Sequence, residues 1–300
     1  MEQEGVLAID FGGTKIAIAT ADLQGRIIER QNIRTVPDAK RTVQEALRQA
    51  VHLVHLTNEH QAFRLVGVGV GTMGITDEDG VRLAPNVPGW EKLRLPAWIR
   101  NTFAPIPVFL ANDVKCAALA EVSWGALKGM DPGIFVNLGT GLAAALVVGG
   151  RVILGAHGAS GEIAYHPLTP DDVRGVRHGV APLEEFVGGG SLKRRAAQEI
   201  GIDLEAGELL RQSQHEPRLL SWVDPILRVL AFHLTHLAIM VDPVRIVVGG
   251  GLVNVRDIIF PYLRQYFDEF VPFPPEVVPA FFHRDAGLMG AIALGLSGRI

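Results

Sequence analysis

The sequence predicts an α/β fold built from two domains, and three observations support this prediction. The chain has 300 residues, 48% of them hydrophobic, which is enough for two cores of ordinary domain size. Strand-like runs rich in Val, Ile and Ala alternate with segments of helical periodicity. The layout of residues 133–153 also repeats that of residues 5–27. We therefore expect two similar β-rich units with a cleft between them.

The first half begins with a strand pair and continues with alternating helices and buried strands. Residues 6–20 are two apolar runs joined at Gly12-Gly13-Thr14, the pattern of a hairpin whose corner contains glycine. Apolar side chains recur on one helical face between positions 38 and 59. The further elements predicted in this half are an extended stretch before Pro37, strands at 65–74 and 108–113, and a helix from Val114.

The segment "GALKGMDP", residues 125–132, breaks the helix that follows Val114 and marks the predicted domain junction. The predicted domains are residues 1–128 and 129–300, with the option that the final helix packs back on the first domain. In the second half the predicted elements are the repeated hairpin at 133–153, a helix at 219–241, a strand at 244–254 and a final helix from about Ala286.

Composition and charge exclude several classes of protein. The net charge of -4 offers no broad basic surface, so nucleic acid is not expected as a partner. The single cysteine, Cys116, forms no intramolecular disulfide and anchors no cysteine-rich metal site, which fits a reducing cytoplasm. No secretory signal pattern and no apolar run of membrane-spanning length are found in the sequence. We expect a cytoplasmic protein without a membrane partner.

The two glycine corners have the composition of phosphate-binding turns. At Gly12-Gly13-Thr14-Lys15 the glycines leave backbone N–H groups accessible, while a hydroxyl and an ammonium group follow them. Gly139-Thr140-Gly141 supplies the same kinds of donor from the repeated unit. Asp10 ends the first strand, where a carboxylate could hold a hydrated magnesium ion. Neither corner matches the P-loop or the dinucleotide fingerprint, and two buried hairpins can look alike without a shared ligand.

Eight segments, the two glycine corners among them, resemble the actin-like sugar kinases, and within them the ROK family, in the same order along most of the chain. "DFGGTK" and "NLGTGLAAALVVGGRVI" resemble the two phosphate motifs of this superfamily, and "VVGGGL" resembles its adenosine motif. The resemblance continues through "GVGTMG", "APNVPGW", "LANDVKCAALAE", "GASGEIAYH" and "PLEEFVGGGSL". It implies two actin-like (ribonuclease H-like) domains and the phosphorylation of a sugar by ATP with Mg²⁺.

The resemblance also implies a role for individual residues. Asp113 matches the general base that takes the proton of the sugar's 6-hydroxyl during attack on the γ-phosphate. The implied sugar ligands are Gly71, Thr72, Asn86, Gly89, Asn112, Asp113, Glu162, Tyr165, His166 and Glu184. The implied nucleotide ligands are Gly12, Gly13, Thr14, Lys15, Gly139, Thr140, Gly141, Gly249, Gly250 and Gly251, together with Asp10, which would hold Mg²⁺ through water.

Each of these residues also has an ordinary structural interpretation. Asn112-Asp113 could cap a helix, Pro88-Gly89 could form a turn, and Glu162 and Glu184 could be surface carboxylates. The order of the motifs along the chain favours the functional interpretation.

The chain departs from the ROK pattern after "GEI". The family has a histidine and a cysteine-rich zinc stretch here, whereas residues 161–186 contain no cysteine and the histidine is displaced by one place. Either His166 reaches the sugar from a bulged backbone, or Tyr165 takes its place. His166, His178, Asp171 and Asp172 would form a zinc site only by accident, so no structural zinc is expected. The identity of the sugar is left open.

Two classes of function follow. The first is a glucokinase-like enzyme that phosphorylates a hexose or hexose derivative, with ATP or, alternatively, polyphosphate as the donor. The second is a sugar-binding sensor or regulator of the same family without catalysis. Only five residues precede the first strand, so the DNA-binding segment of ROK repressors is not expected. A homodimer through residues 219–241 is possible on composition, although that helix could equally be core.

Overall fold

The computed structural model describes residues 2–76, 80–83 and 89–298. These form two compact units. The first comprises residues 1–124, 151–160 and 284–300, and the second comprises residues 125–150 and 161–283, in each case within the described ranges.

The elements are numbered in chain order. The strands are β1 (Gln3–Phe11), β2 (Lys15–Asp22), β3 (Ile27–Arg34), β4 (Phe63–Thr72), β5 (Ile75–Thr76), β6 (Val81–Arg82), β7 (Val108–Asn112), β8 (Gly133–Leu138), β9 (Leu142–Val148), β10 (Arg151–Val152), β11 (Arg245–Gly249) and β12 (Glu276–Pro279). The α-helices are α1 (Ala39–Gln61), α2 (Leu95–Phe103), α3 (Asp113–Trp124), α4 (Pro182–Val187), α5 (Gly189–Glu199), α6 (Ala206–Ser213), α7 (Pro217–Val241), α8 (Arg256–Phe270) and α9 (Ala286–Ser297). The strands and helices predicted from the sequence are confirmed to within a few residues at their ends, with one exception. The predicted strand 244–254 ends at Gly249, and a short 3-10 helix, Gly251–Val255, follows it.

The first unit is built on a five-stranded mixed sheet with the order β3-β2-β1-β4-β7. β1, β4 and β7 are parallel, while β2 and β3 extend the sheet as antiparallel strands. Successive residues of β1 face opposite layers: Leu7 and Ile9 belong to the core beside α1, and Val6 and Ala8 belong to the core beside α9. Because both faces of β1 are covered, its sequence is a continuous apolar run and not an alternating one.

Glycines in the first unit allow backbones to approach closely. A Cβ atom added at Gly69 on β4 would lie 1.9 Å from the carbonyl oxygen of Ala291 on α9. A Cβ atom at Gly290 on α9 would lie 1.8 Å from the carbonyl oxygen of Cys116 on α3. Helix α9 therefore packs directly on the backbones of β4 and α3, which places the last helix of the chain in the first unit.

The second unit contains the four strands β9-β8-β11-β12 side by side, with β8, β11 and β12 parallel and β9 antiparallel to β8. The larger hydrophobic core of this unit joins the strand residues Ile134 and Val248 to residues of α7 and α8, among them Leu230 and Leu263. The strand pair β8–β9 corresponds in layout to β1–β2 of the first unit, as the internal repeat predicts.

Helix α7 combines 25 residues with an apolar composition. An 18-residue window has a mean hydropathy of 1.3, so by length and composition alone this helix could cross a membrane. However, 56% of that window is buried inside the protein, as is common for a core helix of a globular domain. The hydropathy of α7 is therefore accounted for by its packing in the second unit.

Candidate active site

The parallel strands of the first unit bring most of the predicted residues of that unit to one edge. In the strand register Asp10 lies beside Gly71, and Thr72 lies between Phe11 and Asn112. These positions are the carboxyl ends of β1, β4 and β7. In α/β proteins ligands bind outside the carboxyl ends of parallel strands, so this edge is the candidate active site of the first unit.

Asp10 is held between two glycines. A Cβ atom at Gly71 would lie 3.2 Å from Oδ1 of Asp10, and one at Gly287, in the first turn of α9, would lie 2.6 Å from Oδ2. Burial, followed by the negative charge of Asp113, raises the pKa of Asp10 from 3.8 to about 7, although the charges of Lys15 and Arg30 oppose this change. The negative charge of a carboxylate in this position would be stabilised by a nearby cation.

Asn112 and Asp113 stand at the start of α3. The N–H of Lys115 donates to Oδ1 of Asn112 at 2.8 Å, and the N–H of Val114 donates to Oδ1 of Asp113 at 2.9 Å. Asn112 therefore caps the helix, as its ordinary structural interpretation predicted. Burial raises the pKa of Asp113, while the N–H of Val114 and the charge of Lys115 act in the opposite direction. Both side chains therefore accept hydrogen bonds from backbone N–H groups in the first turn of α3.

The first glycine corner is an exposed turn between β1 and β2. The N–H of Gly12 donates to the carbonyl of Lys15 at 3.1 Å, and the Thr35 hydroxyl donates to the carbonyl of Gly12 at 2.7 Å. The N–H of Thr35 donates to the carbonyl of Thr14 at 3.1 Å. Gly13, Thr14 and Lys15 are exposed. Thr35 thus stabilises the turn between β1 and β2, while Gly13, Thr14 and Lys15 in that turn are exposed to solvent.

The sugar-loop residues predicted in the first unit differ in their surroundings. Thr72 is fully buried, and its hydroxyl accepts a hydrogen bond of 3.1 Å from Nε1 of Trp90. Gly89, with φ of 83°, directs the chain into the short 3-10 helix that contains Trp90, so glycine is required there. Asn86 lies outside the described residues. The Thr72 side chain is therefore part of the core, and contact with a ligand would come from the backbone near it.

In the second unit the predicted phosphate corner and the predicted adenosine motif lie together. A Cβ atom at Gly250, which has φ of +86°, would lie 2.8 Å from the backbone nitrogen of Gly139. A Cβ atom at Gly139 would lie 3.6 Å from the backbone nitrogen of Gly251. Gly249, which ends β11, pairs in register with Asn137 of β8. Two glycine-rich segments that are about 110 residues apart thus form one backbone surface.

Glu184 is tied to the same corner. Its Oε2 accepts a hydrogen bond of 2.8 Å from the N–H of Leu142, and a Cβ atom at Gly141 would lie 2.5 Å from that oxygen. The N–H groups of Gly189 and Gly190, at the start of α5, donate to the carbonyls of Gly139 and Thr140 at 2.9 and 3.0 Å. The glycine at position 141 is therefore needed because the Glu184 carboxylate occupies the space of a side chain. The sequence did not indicate this contact.

Glu162, Tyr165 and His166 border one short 3-10 helix, Ile163–Tyr165. The His166 ring lies 5.4 Å, between centroids, from the ring of His233 on α7. His233 is 7% exposed, and its Nε2 has no hydrogen-bond partner within the described part of the chain. Burial, and then the nearby histidines, lowers the pKa of His233 to about 4, and burial also lowers that of His166. His166 thus packs against a buried histidine to which the sequence assigned no role.

The segment that replaces the cysteine-rich stretch is ordered by hydrogen bonds. Oδ2 of Asp172 accepts from the N–H groups of Leu168 and Thr169, and the carbonyl of Gly175 accepts from those of His178 and Val180. Over residues 2–76, 80–83 and 89–298, no group of three or more His, Cys, Asp and Glu side chains could hold a metal ion.

A cavity of about 670 Å³ lies within the first unit. Its wall is formed by the β5–β6 hairpin, the end of β7, the first turn of α3 and residues 154–159. Asn112 and Lys115 are among its lining residues, and Asn112 directly precedes Asp113 in the chain. Pockets of roughly 300 to 1,000 Å³ are typical of small-molecule sites, so this cavity has room for a sugar.

The fold and the arrangement of these residues define a class: α/β proteins of two actin-like units, each with a glycine corner between its first two strands. Comparison with known proteins supports the same class. The chain matches the ROK family over residues 6–297, and it belongs to this family. The predicted fold class, α/β with two actin-like (ribonuclease H-like) domains, is confirmed.

Three similar proteins illustrate the range within the family. The glucokinase of Streptomyces coelicolor is 26% identical over 313 residues, covering 96% of each chain. The crystal structure of a ROK family glucokinase from Streptomyces griseus, in complex with glucose and AMPPNP, has a TM-score of 0.76 and 26% identity, covering 97% of this chain and 99% of that one. A ROK family transcriptional regulator, a homologue of the E. coli MLC protein, has a TM-score of 0.83 at 21% identity, covering 97% of this chain and 78% of that one.

Proposed function

We propose that this protein catalyses the ATP-dependent phosphorylation of a hexose or hexose derivative at its 6-hydroxyl, with Asp113 as the general base. The observation that carries the proposal is the strand register, which aligns Asp10, Gly71 and Asn112 at one sheet edge and sets Asp113 beside them. The similarity to glucokinases, one of them in complex with glucose and AMPPNP, supports sugar phosphorylation with ATP.

In the proposed reaction the Asp113 carboxylate accepts the proton of the sugar hydroxyl while that oxygen attacks the γ-phosphorus of ATP and ADP leaves. A base in this role must be ionised at neutral pH. Burial disfavours the charge on Asp113, but the N–H of Val114, the start of α3 and the charge of Lys115 favour it. Asn112 would bind a sugar hydroxyl with the part of its amide that does not cap α3.

Asp10 is the proposed holder of magnesium. Its carboxyl group is a hard oxygen donor, and burial and the charge of Asp113 raise its pKa, so a divalent cation would compensate the charge that burial disfavours. A bound magnesium ion would neutralise the phosphate charges of the nucleotide. The corners at residues 12–15 and 139–141 are the proposed phosphate contacts, and Gly249–Gly251 are the proposed adenosine contacts.

In the second unit Glu162 and Glu184 are the proposed ligands of further sugar hydroxyls, and Tyr165 or His166 is the proposed substitute for the family histidine. The bond from the N–H of Leu142 would hold the Glu184 carboxylate in one orientation. The packing of His166 against His233 favours Tyr165 as the residue of this pair that contacts the sugar.

A coupled ADP-release assay over a panel of hexoses and amino sugars tests the proposal. We expect Asp113→Asn to lower kcat by roughly 10²- to 10⁴-fold, which is the usual contribution of a general base. Asparagine keeps an oxygen that can accept from the N–H of Val114, so the fold and sugar binding by calorimetry should persist. The matched control is Asp38→Asn, another helix-start aspartate whose Oδ1 accepts from the N–H of Arg41 at 3.0 Å.

A second candidate function is a sugar-binding regulator without catalysis. The observation in its favour is the replaced segment at 167–181, which follows Tyr165 and His166 directly. The likeness to the transcriptional regulator concerns the fold alone. Calorimetric sugar binding without formation of a sugar phosphate, with either ATP or polyphosphate as the donor, would support the regulator and contradict the kinase. ADP release that Asp113→Asn leaves unchanged would contradict the role of Asp113.

A further inference from the structure

The cavity of the first unit is larger than a free hexose requires. Its volume of about 670 Å³ lies in the range of sites for drug-sized molecules, roughly 300 to 1,000 Å³, and a single hexose is smaller than such a molecule. Asn112, which directly precedes the proposed base, is among its lining residues. A substituent on a sugar bound at Asp113 would therefore have room in the rest of the cavity, and the chemistry of the wall determines which substituent binds.

Four large apolar side chains line this cavity: Ile75, Leu83, Leu110 and Leu154. We call them the apolar wall. Two of them are open to solvent, since Leu83 is 40% exposed and Leu154 is 45% exposed. A single exposed leucine is ordinary on a protein surface, but apolar side chains that share one concave site are typical of ligand contacts.

The backbone of Leu83 adds a second observation. Its φ of 53° lies in the left-handed region, which is unfavourable for residues with a Cβ atom and is tolerated best by glycine and asparagine. Leucine at this position thus carries a backbone cost without the gain of a buried side chain. Residues in such conformations cluster at ligand sites, and a ligand that covers Leu83 would account for the leucine.

The loop that carries Leu154 is fixed against the strand pair that precedes Leu83. The carbonyl of Leu154 accepts a hydrogen bond of 3.0 Å from the N–H of Ser160. A Cβ atom at Gly158 would lie 3.1 Å from Cγ2 of Ile75, and Ile75 pairs with Arg82 in the β5–β6 hairpin. The apolar wall is therefore formed before a ligand binds, which lowers the entropy cost of binding.

The polar side chains of the cavity do not favour a charged substituent. Arg82, Asn112 and Lys115 line the cavity, and each already interacts with other groups of the protein. Among the described lining residues, Thr76 and His157 are the remaining polar side chains, and they could bind hydroxyls of the sugar. Apolar contact is therefore what the wall offers to a substituent.

We propose that the acceptor sugar carries an apolar substituent of several carbon atoms, an acyl or alkyl chain, that binds against the apolar wall, with Leu83 and Leu154 as specificity-determining residues. The inference rests on the proposed function, because it names the substrate class of the same site. The substituent is attached away from the hydroxyl that is phosphorylated.

Two series of sugars with a free 6-hydroxyl test the inference. The first is N-acetyl-, N-propanoyl- and N-butanoylglucosamine, and the second is methyl, ethyl and propyl β-glucoside. We expect kcat/KM to rise by about two- to fourfold per added methylene in at least one series, since about fourfold is the gain for a methylene that leaves water completely. The series that responds shows whether the chain is carried on an amide or on the anomeric oxygen.

Leu83→Asn and Leu154→Asn should each reduce the gain per methylene towards one, because asparagine has about the size of leucine but is polar. Asparagine also tolerates the left-handed conformation at position 83, so this variant should fold. The matched control is Leu23→Asn, at a 48% exposed leucine in the turn after β2 of the same unit that does not line the cavity. Its gain per methylene should equal that of the unchanged protein.

The failure of this inference and of the proposed function can be told apart by calorimetry with each sugar in the absence of ATP. Turnover that does not rise with chain length in either series, or a rise that both leucine variants leave unchanged, would overturn the apolar assignment while keeping the kinase. Affinity that rises with chain length and falls in the variants, without formation of a sugar phosphate, would support the assignment and contradict the kinase. If no member of either series binds, the apolar assignment is wrong.

Discussion

The free energy of unfolding should depend on pH because the carboxyl group of Asp10 is buried. Because its folded-state pKa is raised, the folded protein binds a proton that the unfolded chain releases at lower pH. The unchanged protein should therefore lose stability relative to Asp10→Asn as the pH rises from about 4 to about 7. Asparagine has the shape of the carboxyl group between Gly71 and Gly287 but has no charge to bury.

The magnitude follows from the pKa. A change from 3.8 to about 7 corresponds to about 4 kcal/mol between the two ends of this pH range. The negative charge of Asp113 opposes the ionisation of Asp10, because two carboxylates repel each other. Asp10→Asn removes both the burial cost and the repulsion. We therefore expect the stability difference between the two proteins to change by about 2 to 4 kcal/mol across the range.

Urea unfolding at several pH values, in magnesium-free buffer with a chelator, measures this difference. Asp22→Asn is a control of opposite sign. Although burial opposes the change, hydrogen bonds from the N–H groups of Arg26 and Gln24 and from the Arg26 side chain lower the pKa of Asp22. The stability that this carboxylate contributes is present above pH 3.8 and is lost as the pH falls through its lowered pKa.

Parallel stability curves for the unchanged protein and Asp10→Asn, within about 0.5 kcal/mol from pH 4 to pH 8, would contradict the placement of Asp10 in a site that excludes water. A relative gain in stability with rising pH would contradict the sign. Either result would also remove the main reason for placing a cation at Asp10.

Two further predictions concern packing in the first unit. Gly290→Ala should lower the free energy of unfolding, measured by chemical denaturation, by about 2 kcal/mol or more, because the new methyl group would overlap the carbonyl of Cys116. This overlap outweighs the better helix propensity of alanine. The control is Gly175→Ala, because a Cβ atom at Gly175 would have nothing within 4 Å. Thr20→Val should cost about 1 kcal/mol in thermal unfolding, because it removes the buried hydroxyl contact of 2.8 Å with Thr57, and an unchanged melting temperature would show that this contact contributes nothing.

Much of the fold was predictable because its signals are local. The apolar runs of β1, β4 and β7, the periodicity of α1 and the breaks at glycine and proline depend on neighbouring residues only. The polar residues that end these strands were recognised for the same reason. Since parallel strands align their carboxyl ends, strand order alone then brings Asp10, Asn112 and Asp113 to one edge.

The roles of other residues depended on contacts between distant segments. The family resemblance implied that Glu184 is a sugar ligand, but the sequence did not show that its carboxylate accepts a hydrogen bond from the N–H of Leu142, 42 positions earlier. It left His233 without a role, although this residue packs against His166. Lys115 was part of a matched motif, yet its burial in the wall of a cavity is visible only in three dimensions.

By itself, the sequence determined the α/β class, the internal repeat and the identity of the strand-end residues, because backbone propensity and hydrophobic periodicity are properties of short segments. Only the tertiary structure decided which of these groups are charged, capped or desolvated. The pKa of Asp10 and the burial of Lys115 are set by atoms that packing brings close from remote parts of the chain, and desolvation depends on all of those atoms together.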